Sequence, residues 1–211
     1  MHPSYEPEPA AAAQLFPDPA SLDRARQFTE NLASNGERLG LIGPLELPRL
    51  WTRHVLNSAL IAPLLHPGRV GDVGSGAGLP GIVAAIARPE VSFVLIEPME
   101  RRVAWLEHQI AELGLDNVEV LRARAEDALL YRALDQVTAR AVSALRTLIP
   151  LTARLVRAGG ELVLMKGAGA ERELEAAQKA IRKYELRDVE ILELGAGVLS
   201  ETTRVVRATV A

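Results

Sequence analysis

The chain has 211 residues, a formal net charge of −3, and a composition that is 48% hydrophobic and 4% aromatic, which suits a globular fold with a sizeable core. It has no cysteine, which excludes disulfides, thiolate metal sites and cysteine nucleophiles, and its four scattered histidines lead us to expect no metal. Because the net charge is near neutral, the chain as a whole is not expected to bind naked nucleic acid through its overall charge. Any RNA contact therefore requires a local patch of positive residues.

The first twenty residues are predicted to be a flexible tail, because they carry five prolines: Pro3, Pro7, Pro9, Pro17 and Pro19. They lack the basic start and apolar run of a signal peptide. No stretch of the chain approaches the roughly 18 apolar residues of a membrane helix. We therefore expect a cytoplasmic protein without a membrane partner, with residues 21–211 forming one domain.

Two helices, within residues 21–66, are predicted before the first strand. The first runs from Ser21 to about Leu32, with Ser21 as its N-cap. The second has apolar residues at steps of three and four, namely Leu47, Leu50, Trp51, Val55, Ala59 and Ala62. The same kind of spacing places Trp51 and Trp105 in the core instead of on a surface that stacks bases.

Strands and helices then alternate through residues 67–211. The predicted strands are Arg69–Val73, Ser92–Glu97, Val118–Arg122, Gln136–Arg140, Glu161–Lys166, Leu186–Leu194 and Thr203–Val210. The predicted helices are Pro80–Ala87, Glu100–Leu113, Glu126–Ala133, Ser143–Val156 and Ala170–Lys183, with helix C-caps at Gly114 and Gly159-Gly160. This order predicts an α/β fold with a mostly parallel seven-stranded sheet and an antiparallel C-terminal strand pair at one edge.

A glycine-rich loop follows the first strand. Residues 76–81 fit the dinucleotide pattern G-x-G-x-x-G, whereas Gly74, Gly76 and Gly78 after Asp72 resemble the loop of many S-adenosylmethionine-binding proteins. Either ligand would present a negative group to the helix N-terminus that begins near Pro80. The charged Asp72 favours S-adenosylmethionine, because dinucleotide loops usually follow apolar residues; it would order the loop, or meet the ligand's ammonium group through water.

Acidic residues follow the next two strands. Glu97 ends the second strand, where a carboxylate accepts both ribose hydroxyls in either ligand class. Ala125-Glu126-Asp127 follows the third strand and offers an amide and carboxylates to an adenine edge, although these acids could equally start a helix. Together with the double-glycine turn before the fifth strand, these residues predict a methyltransferase.

Four motifs resemble one family of bacterial proteins. They are Arg53-His54-Val55-Leu56-Asn57-Ser58, Asp72-Val73-Gly74-Ser75-Gly76-Ala77-Gly78-Leu79-Pro80-Gly81, Arg140-Ala141 and Lys166-Gly167. The chain from Ser21 to its C-terminus is similar to the RsmG family, also called GidB, of 16S rRNA methyltransferases. Many relatives have Asn-Leu-Thr where this chain has Gly40-Leu41-Ile42, and Asp where it has Asn57.

The resemblance implies a class I, Rossmann-like fold and transfer of a methyl group from S-adenosylmethionine to N7 of one guanine in the 530 loop of 16S rRNA, leaving S-adenosylhomocysteine. The partner would be the rRNA or the small ribosomal subunit. Carried onto this sequence, it implies cofactor contacts at Gly74, Leu79, Ala125, Glu126 and Arg140. It also implies contacts of basic residues with RNA at Arg124 and Lys166.

Guanine N7 carries no proton at neutral pH, so we expect no general base. Asp72 is a candidate for electrostatic stabilisation of the charge that develops on the base. We expect His54 to be structural and Arg53 to touch RNA or close the cofactor pocket. Two alternatives stay open: another acceptor for the same cofactor, either a small molecule or a protein, and a nicotinamide-dependent oxidoreductase or inert nucleotide-binding factor.

Overall fold

The computed structural model describes residues 5–16, 18–130 and 132–211. Within these ranges one sheet is formed by β1 Arg69–Val73, β2 Ser92–Ile96, β3 Val118–Leu121, β4 Leu134–Arg140, β5 Val156–Lys166, β6 Arg187–Leu194 and β7 Thr203–Thr209. Its order is β3-β2-β1-β4-β5-β7-β6. The first five strands are parallel, and β7 is antiparallel to both β5 and β6. The predicted sheet is confirmed.

Helices connect these strands and precede them. The α-helices are α1 Ala12–Leu15, α2 Pro19–Asn35, α3 Asn57–Ala59, α4 Gly81–Ala87, α5 Glu100–Leu113, α6 Leu145–Ala153, α7 Ala170–Ala176 and α8 Gln178–Lys183. Short 3₁₀ turns cover Leu47–Arg49, Ala62–Leu64 and Ala125–Asp127. The second predicted helix is a π-helix over Leu50–Leu56 that continues into α3.

Apolar side chains cover both faces of the sheet, as parallel strands require. One cluster joins Phe28 of α2 and Trp105 of α5 to Phe93 of β2. The other joins Leu148 of α6 to Leu162 of β5 and to residues of α7 and α8. The N-terminal helices therefore share a core with the sheet, and both tryptophans are buried as expected.

The expected flexible tail is wrong for residues 5–16, whereas residues 1–4 and 17 lie outside the described residues. Ala12 and Phe16 are 0% and 1% exposed. The Glu6 carboxylate accepts hydrogen bonds from the backbone and hydroxyl of Thr52, at 2.9 and 3.2 Å. A single helical turn places two apolar residues four positions apart on one face, which is enough to dock the segment despite its prolines.

The start of α2 also differs from its prediction. Its N-cap is Asp18, whose carboxylate accepts from the backbone N–H of Ser21 at 2.9 Å and from the Ser21 hydroxyl. Pro19 occupies the first helical turn, where a missing N–H costs nothing. The acid three residues upstream therefore caps the helix that Ser21 was expected to start.

Three further predictions of local structure are corrected. The helix expected over Glu126–Ala133 is only a 3₁₀ turn over Ala125–Asp127 in the described residues, which omit position 131. Gly159-Gly160 lies inside β5 instead of at a helix C-cap, and a Cβ on Gly160 would lie 2.5 Å from the carbonyl oxygen of Asp135. The helix Ala170–Lys183 is divided at Ala177 into α7 and α8. Gly114 is confirmed as the left-handed C-cap of α5.

Candidate functional site

The loop between β1 and α4 depends on its glycines. Gly74, Gly76 and Gly78 have φ values of +71°, +55° and +93°, in the left-handed region that side chains disfavour. A Cβ on Gly78 would lie 2.7 Å from Ile82, whereas a Cβ on Gly76 would meet no atom nearer than 3.8 Å. The turn is thus packed against α4 at Gly78 and has open space at Gly76. Leu79 follows the turn and is half-buried.

Asp72 is fully buried on β1 beneath this loop. Its Oδ2 accepts the backbone N–H of Gly81 at 3.0 Å, which fixes the first residue of α4. A Cβ on Gly81 would lie 2.5 Å from that oxygen, so this contact requires a glycine. Oδ1 has no hydrogen-bond partner within the described part of the chain. Burial raises the pKa of Asp72 to about 7.

Glu97 follows β2 and is 1% exposed. One carboxylate oxygen accepts the N–H of Gly76 at 2.9 Å, and the other accepts the N–H of Met99 at 3.0 Å. Trp105 supports the same loop from α5, because its indole N–H donates to the carbonyl of Ala77 at 3.0 Å. A buried carboxylate therefore lies against the glycine loop, at the ends of two adjacent parallel strands.

The other expected cofactor residues follow strands β3 and β4. Ala125 is buried and Glu126 is exposed in the 3₁₀ turn after β3, while Arg140 is the last residue of β4. Strands β1 to β4 are parallel and adjacent in the order β3-β2-β1-β4. Their carboxyl ends therefore bring these residues to the edge that carries the glycine loop, where open α/β sheets bind ligands.

Arg140 connects β4 to the π-helix. Its Nη1 donates to the His54 carbonyl at 3.2 Å and to the Ser58 hydroxyl at 3.0 Å, and its Nη2 donates to the Arg53 carbonyl at 3.2 Å. Nη2 also donates to Nδ1 of His54 at 2.8 Å. Burial lowers the pKa of Arg140 to about 10, so the guanidinium stays charged at neutral pH. Its fifth donor, Nε–H, has no partner among the residues described.

His54 lies between Arg140 and an acid. Its Nε2 is 2.6 Å from a carboxylate oxygen of Glu46. An arginine only donates, so Nδ1 must accept, and the ring proton of neutral His54 belongs on Nε2. Burial and the charge of Arg140 lower the pKa of His54, against the opposing effect of Glu46. His54 therefore serves as a neutral bridge in this chain of hydrogen bonds.

The three basic residues considered for RNA contact differ in their surroundings. Lys166 ends β5 and is largely buried, with its Nζ 2.7 Å from Glu173 and 2.8 Å from the carbonyl of Ser143. Arg53 is half-exposed and lies 3.6 Å from Glu201. Arg124 is exposed before the 3₁₀ turn. Arg53 and Arg124 thus reach solvent, whereas the charge of Lys166 is neutralised.

A cavity of about 290 Å³ lies at the carboxyl ends of β4 and β5, and we call it the β4–β5 cavity. Its lining includes Arg53, Asn57, Arg140, Lys166, Glu173, Glu201 and Thr203. Asn57, Glu173, Glu201 and Thr203 were not anticipated as site residues. The last two come from the β6–β7 connection and the start of β7, which only sheet pairing brings beside β5.

A larger cavity of about 500 Å³ lies at the opposite edge of the sheet. Its lining includes Arg69, Ser92 and Val118, which begin β1, β2 and β3. Ligands of open α/β sheets bind at the carboxyl ends of the strands, so the smaller cavity is the better candidate despite its size.

The described residues contain neither a metal-binding cluster nor a membrane-spanning helix. No group of three or more histidine, aspartate or glutamate side chains in these ranges has the arrangement of a metal site. No helix in them has both the length and the apolar content to span a bilayer.

Comparisons with known proteins place this chain in one family. The family model GidB, rRNA small subunit methyltransferase G, matches residues 21–202. A protein of Leifsonia xyli subsp. xyli, Ribosomal RNA small subunit methyltransferase G, is 70% identical over the whole of both chains. A protein of the same name from Pseudarthrobacter chlorophenolicus is 52% identical over 95% of this chain and 92% of its own length.

Solved structures show a similar fold. TYW2 of M. jannaschii in complex with AdoMet gives a TM-score of 0.57 at 19% identity, covering 74% of each chain. The tRNA (m1A58) methyltransferase TrmI of Aquifex aeolicus gives 0.57 at 14% identity, covering 73% of this chain and 68% of its own. At these identities the likeness shows the fold alone, that of the class I S-adenosylmethionine-dependent methyltransferases.

Proposed function

Because this chain belongs to the small-subunit rRNA methyltransferase G family, also called GidB, we propose that it methylates N7 of one guanine in the 530 loop of 16S rRNA. The chain is an S-adenosylmethionine-dependent rRNA methyltransferase. The position of the methyl group follows from the family resemblance of its motifs.

The structural observation that carries the cofactor assignment is the buried carboxylate of Glu97 against the glycine loop. A carboxylate at this strand end suits ribose hydroxyls, and the open space at Gly76 suits close approach of a ligand to the backbone. Oδ1 of Asp72, which has no hydrogen-bond partner among the residues that the structure describes, is a further polar atom beneath the loop. The residues present thus fit a sulfonium nucleoside.

We assign roles to the remaining cofactor residues on this basis. Gly74, Gly78 and Leu79 would shape the loop around the methionine part of the cofactor. Ala125 and Glu126 would face the adenine edge from the turn after β3. Arg140 would contribute its Nε–H, while the four hydrogen bonds of its Nη1 and Nη2 would hold the π-helix and α3 beside the cofactor.

The reaction requires alignment instead of proton removal, because guanine N7 carries a lone pair in the base plane. When bound, S-adenosylmethionine supplies a methyl group activated by its positively charged sulfur. Holding the base in line with that methyl group can lower the barrier by about 7–11 kcal/mol. Asp72 is fully buried and bonded to Gly81, so any electrostatic effect on the charged product would act through the loop.

The β4–β5 cavity is our candidate for the position of the target base. It opens at the strand ends beside the cofactor edge, and Arg53 and Asn57 present polar groups to it. An unstacked base in RNA is recognised through hydrogen bonds to its edges, which these side chains could supply. The proposed partner is 16S rRNA within the small subunit or its precursor, and the proposed location is the cytoplasm, where ribosomes are built.

The experiment that tests this function maps N7-methylguanine in rRNA. Cleavage at methylated guanines, read as reverse-transcription stops, should show a stop in the 530 loop only in cells that make this protein. Purified enzyme should restore the stop in small subunits from deficient cells. A 530 loop that stays unmodified in the producing cells would contradict the proposal. Methyl transfer to small molecules or proteins, with none to rRNA, would show that the acceptor is not rRNA.

A further inference from the structure

Four cations line a groove between α6 and the α7–α8 pair. Two adjacent cavities of about 310 and 380 Å³ run along it. We call it the basic groove, and its lining includes Arg146, Thr147, Pro150, Arg172, Lys179 and Lys183. The four cations are exposed. Glu173 is the only acid lining either cavity among the residues described.

The pairing of these cations is unlike that of many others on the surface. Arg26, Arg69, Arg157 and Arg207 each lie within 4 Å of a carboxylate. None of the four groove cations has such a partner in the described ranges. The single groove acid, Glu173, is bonded to Lys166 and to the backbone N–H of Leu145 at the start of α6. Lys183 lies 5.4 Å from the centroid of the Tyr184 ring, but no carboxylate in the described residues neutralises any of the four cations.

Two of the cations share the face of one helix. Lys179 and Lys183 stand at i and i+4 on α8, which places them on the same side of that helix, about 6 Å apart along its axis. Arg172 lies on α7, before the division at Ala177, and lines the cavity of about 310 Å³. Arg146 faces both helices from α6, since it lines both cavities.

The groove continues from the β4–β5 cavity. Glu173 lines both the β4–β5 cavity and the nearer cavity of the groove. Ala144, which lines the groove, follows Ser143, whose carbonyl accepts from Lys166 in the β4–β5 cavity. A strand whose base enters the β4–β5 cavity could therefore continue along the groove.

We propose that the basic groove binds the phosphate backbone of 16S rRNA next to the target nucleotide, an inference that rests on the proposed function. Four exposed cations without a carboxylate partner in the described residues suit a polyanion, and a near-neutral protein needs such a local patch to hold RNA. The groove thus supplies electrostatic affinity, while the β4–β5 cavity selects the base.

The test compares two pairs of substitutions. The groove variant is Arg146→Gln with Lys179→Gln. The control variant is Arg154→Gln with Arg182→Gln, which removes the same charge just after α6 and from α8, at exposed cations that do not line the groove. Binding to small subunits that lack the modification is measured from 50 to 200 mM KCl at constant Mg²⁺, with S-adenosylhomocysteine present.

Each phosphate contact to a single strand contributes about 0.7 to the slope of log K against log salt. The groove variant should therefore lose about 1.4 from this slope and bind on the order of 20-fold more weakly at 0.1 M salt, while the control variant binds like the wild type. Hydroxyl-radical cleavage should show backbone protection beside the target guanosine with the wild type and the control, and none with the groove variant.

Equal affinity and equal protection for the two variants would overturn the groove assignment. A groove variant that binds more weakly but leaves the protection of the rRNA backbone unchanged would also overturn it. That result would indicate that the groove contacts a ribosomal protein. Both variants should keep wild-type affinity for S-adenosylhomocysteine, which reports a folded cofactor site. N7 methylation by the wild type is scored separately. If the wild type does not methylate N7, the proposed function is wrong. The salt dependence of binding would still show whether the groove binds the rRNA backbone.

Discussion

At the scale of single residues, the burial of Asp72 destabilises the folded protein at neutral pH. The side chain is fully buried, one of its oxygens holds the first residue of α4, and the other has no partner in the described residues. An unpaired buried carboxylate is unfavourable because its charge loses water, which is the cause of its raised pKa. The residue is thus a source of instability placed directly beneath the loop proposed to hold the cofactor.

This placement predicts a pH dependence of stability. The pKa of Asp72 is about 7 when folded and about 3.9 when unfolded, so between these values the native state binds more protons than the unfolded state. The contribution of Asp72 to the free energy of unfolding therefore falls as pH rises from about 4 to 7, by on the order of 4 kcal/mol at most. Asp72→Asn should abolish this loss of stability, because the amide carries no charge. Its side-chain oxygen can still accept the hydrogen bond from the backbone N–H of Gly81.

The measurement is urea denaturation of the ligand-free protein at pH 5 and pH 8. The free energy of unfolding of the variant, relative to that of the wild type, should increase by roughly 2–4 kcal/mol between the two pH values. Asp116→Asn, at an exposed carboxylate, serves as the control and should follow the wild type. Parallel pH profiles for Asp72→Asn and the wild type would contradict the raised pKa.

At the scale of elements, the N-terminal segment is attached to the rest of the protein by the buried side chains of Ala12 and Phe16 and by part-buried hydrogen bonds of Glu6. Phe16 belongs to the core cluster that also contains α2, the π-helix and one face of the sheet. The carboxylate of Glu6 binds Thr52 within the π-helix. The segment therefore packs against the π-helix, which carries the Arg53-His54 motif, and stabilises it.

We expect Phe16→Ala to cost about 3–5 kcal/mol in the free energy of unfolding, because it leaves a cavity where the side chain was 1% exposed. The matched control is Leu129→Ala, since Leu129 is 91% exposed and should change stability by less than about 0.5 kcal/mol. Chemical denaturation of both variants measures the difference. A similar, small effect of the two substitutions would mean that the segment does not dock in solution.

At the scale of the whole molecule, the cofactor class is testable through ligand-linked stability. A ligand at 100 times its Kd adds about 2.7 kcal/mol, which for a chain of this length raises Tm by roughly 5–10 °C. S-adenosylhomocysteine should produce this shift, and NADH should produce none. A shift with NADH alone would restore the oxidoreductase alternative.

The same measurement locates the ligand. Glu97→Gln should shrink the shift with S-adenosylhomocysteine, because the amide replaces the charged acceptor proposed for the ribose. Glu100→Gln lies three residues further on, at a side chain that is 78% exposed, and should leave the shift unchanged. Equal shifts for the two variants would remove Glu97 from the proposed cofactor site.

The alternation of strands and helices, the position of the glycine loop and the acid after β2 could all be predicted from the amino-acid sequence. These features depend on local periodicity and on backbone conformations that only glycine adopts readily, so they can be read from neighbouring residues. The sequence also carried the family motifs, which predicted the reaction. Where local signals were weak or conflicting, as in residues 126–133 and at Gly159-Gly160, the prediction failed.

How the distant motifs meet depends on the packing of the folded chain. Arg140 and His54 are 86 positions apart and are joined only because β4 ends beside the π-helix. Lys166 has the charge expected of an RNA contact, but packing against α7 pairs it with Glu173, whereas four exposed cations of the basic groove have no carboxylate partner in the described residues. The docking of Phe16 has the same explanation. Burial and charge pairing depend on residues that are far apart in the chain, so they cannot be predicted from local sequence patterns.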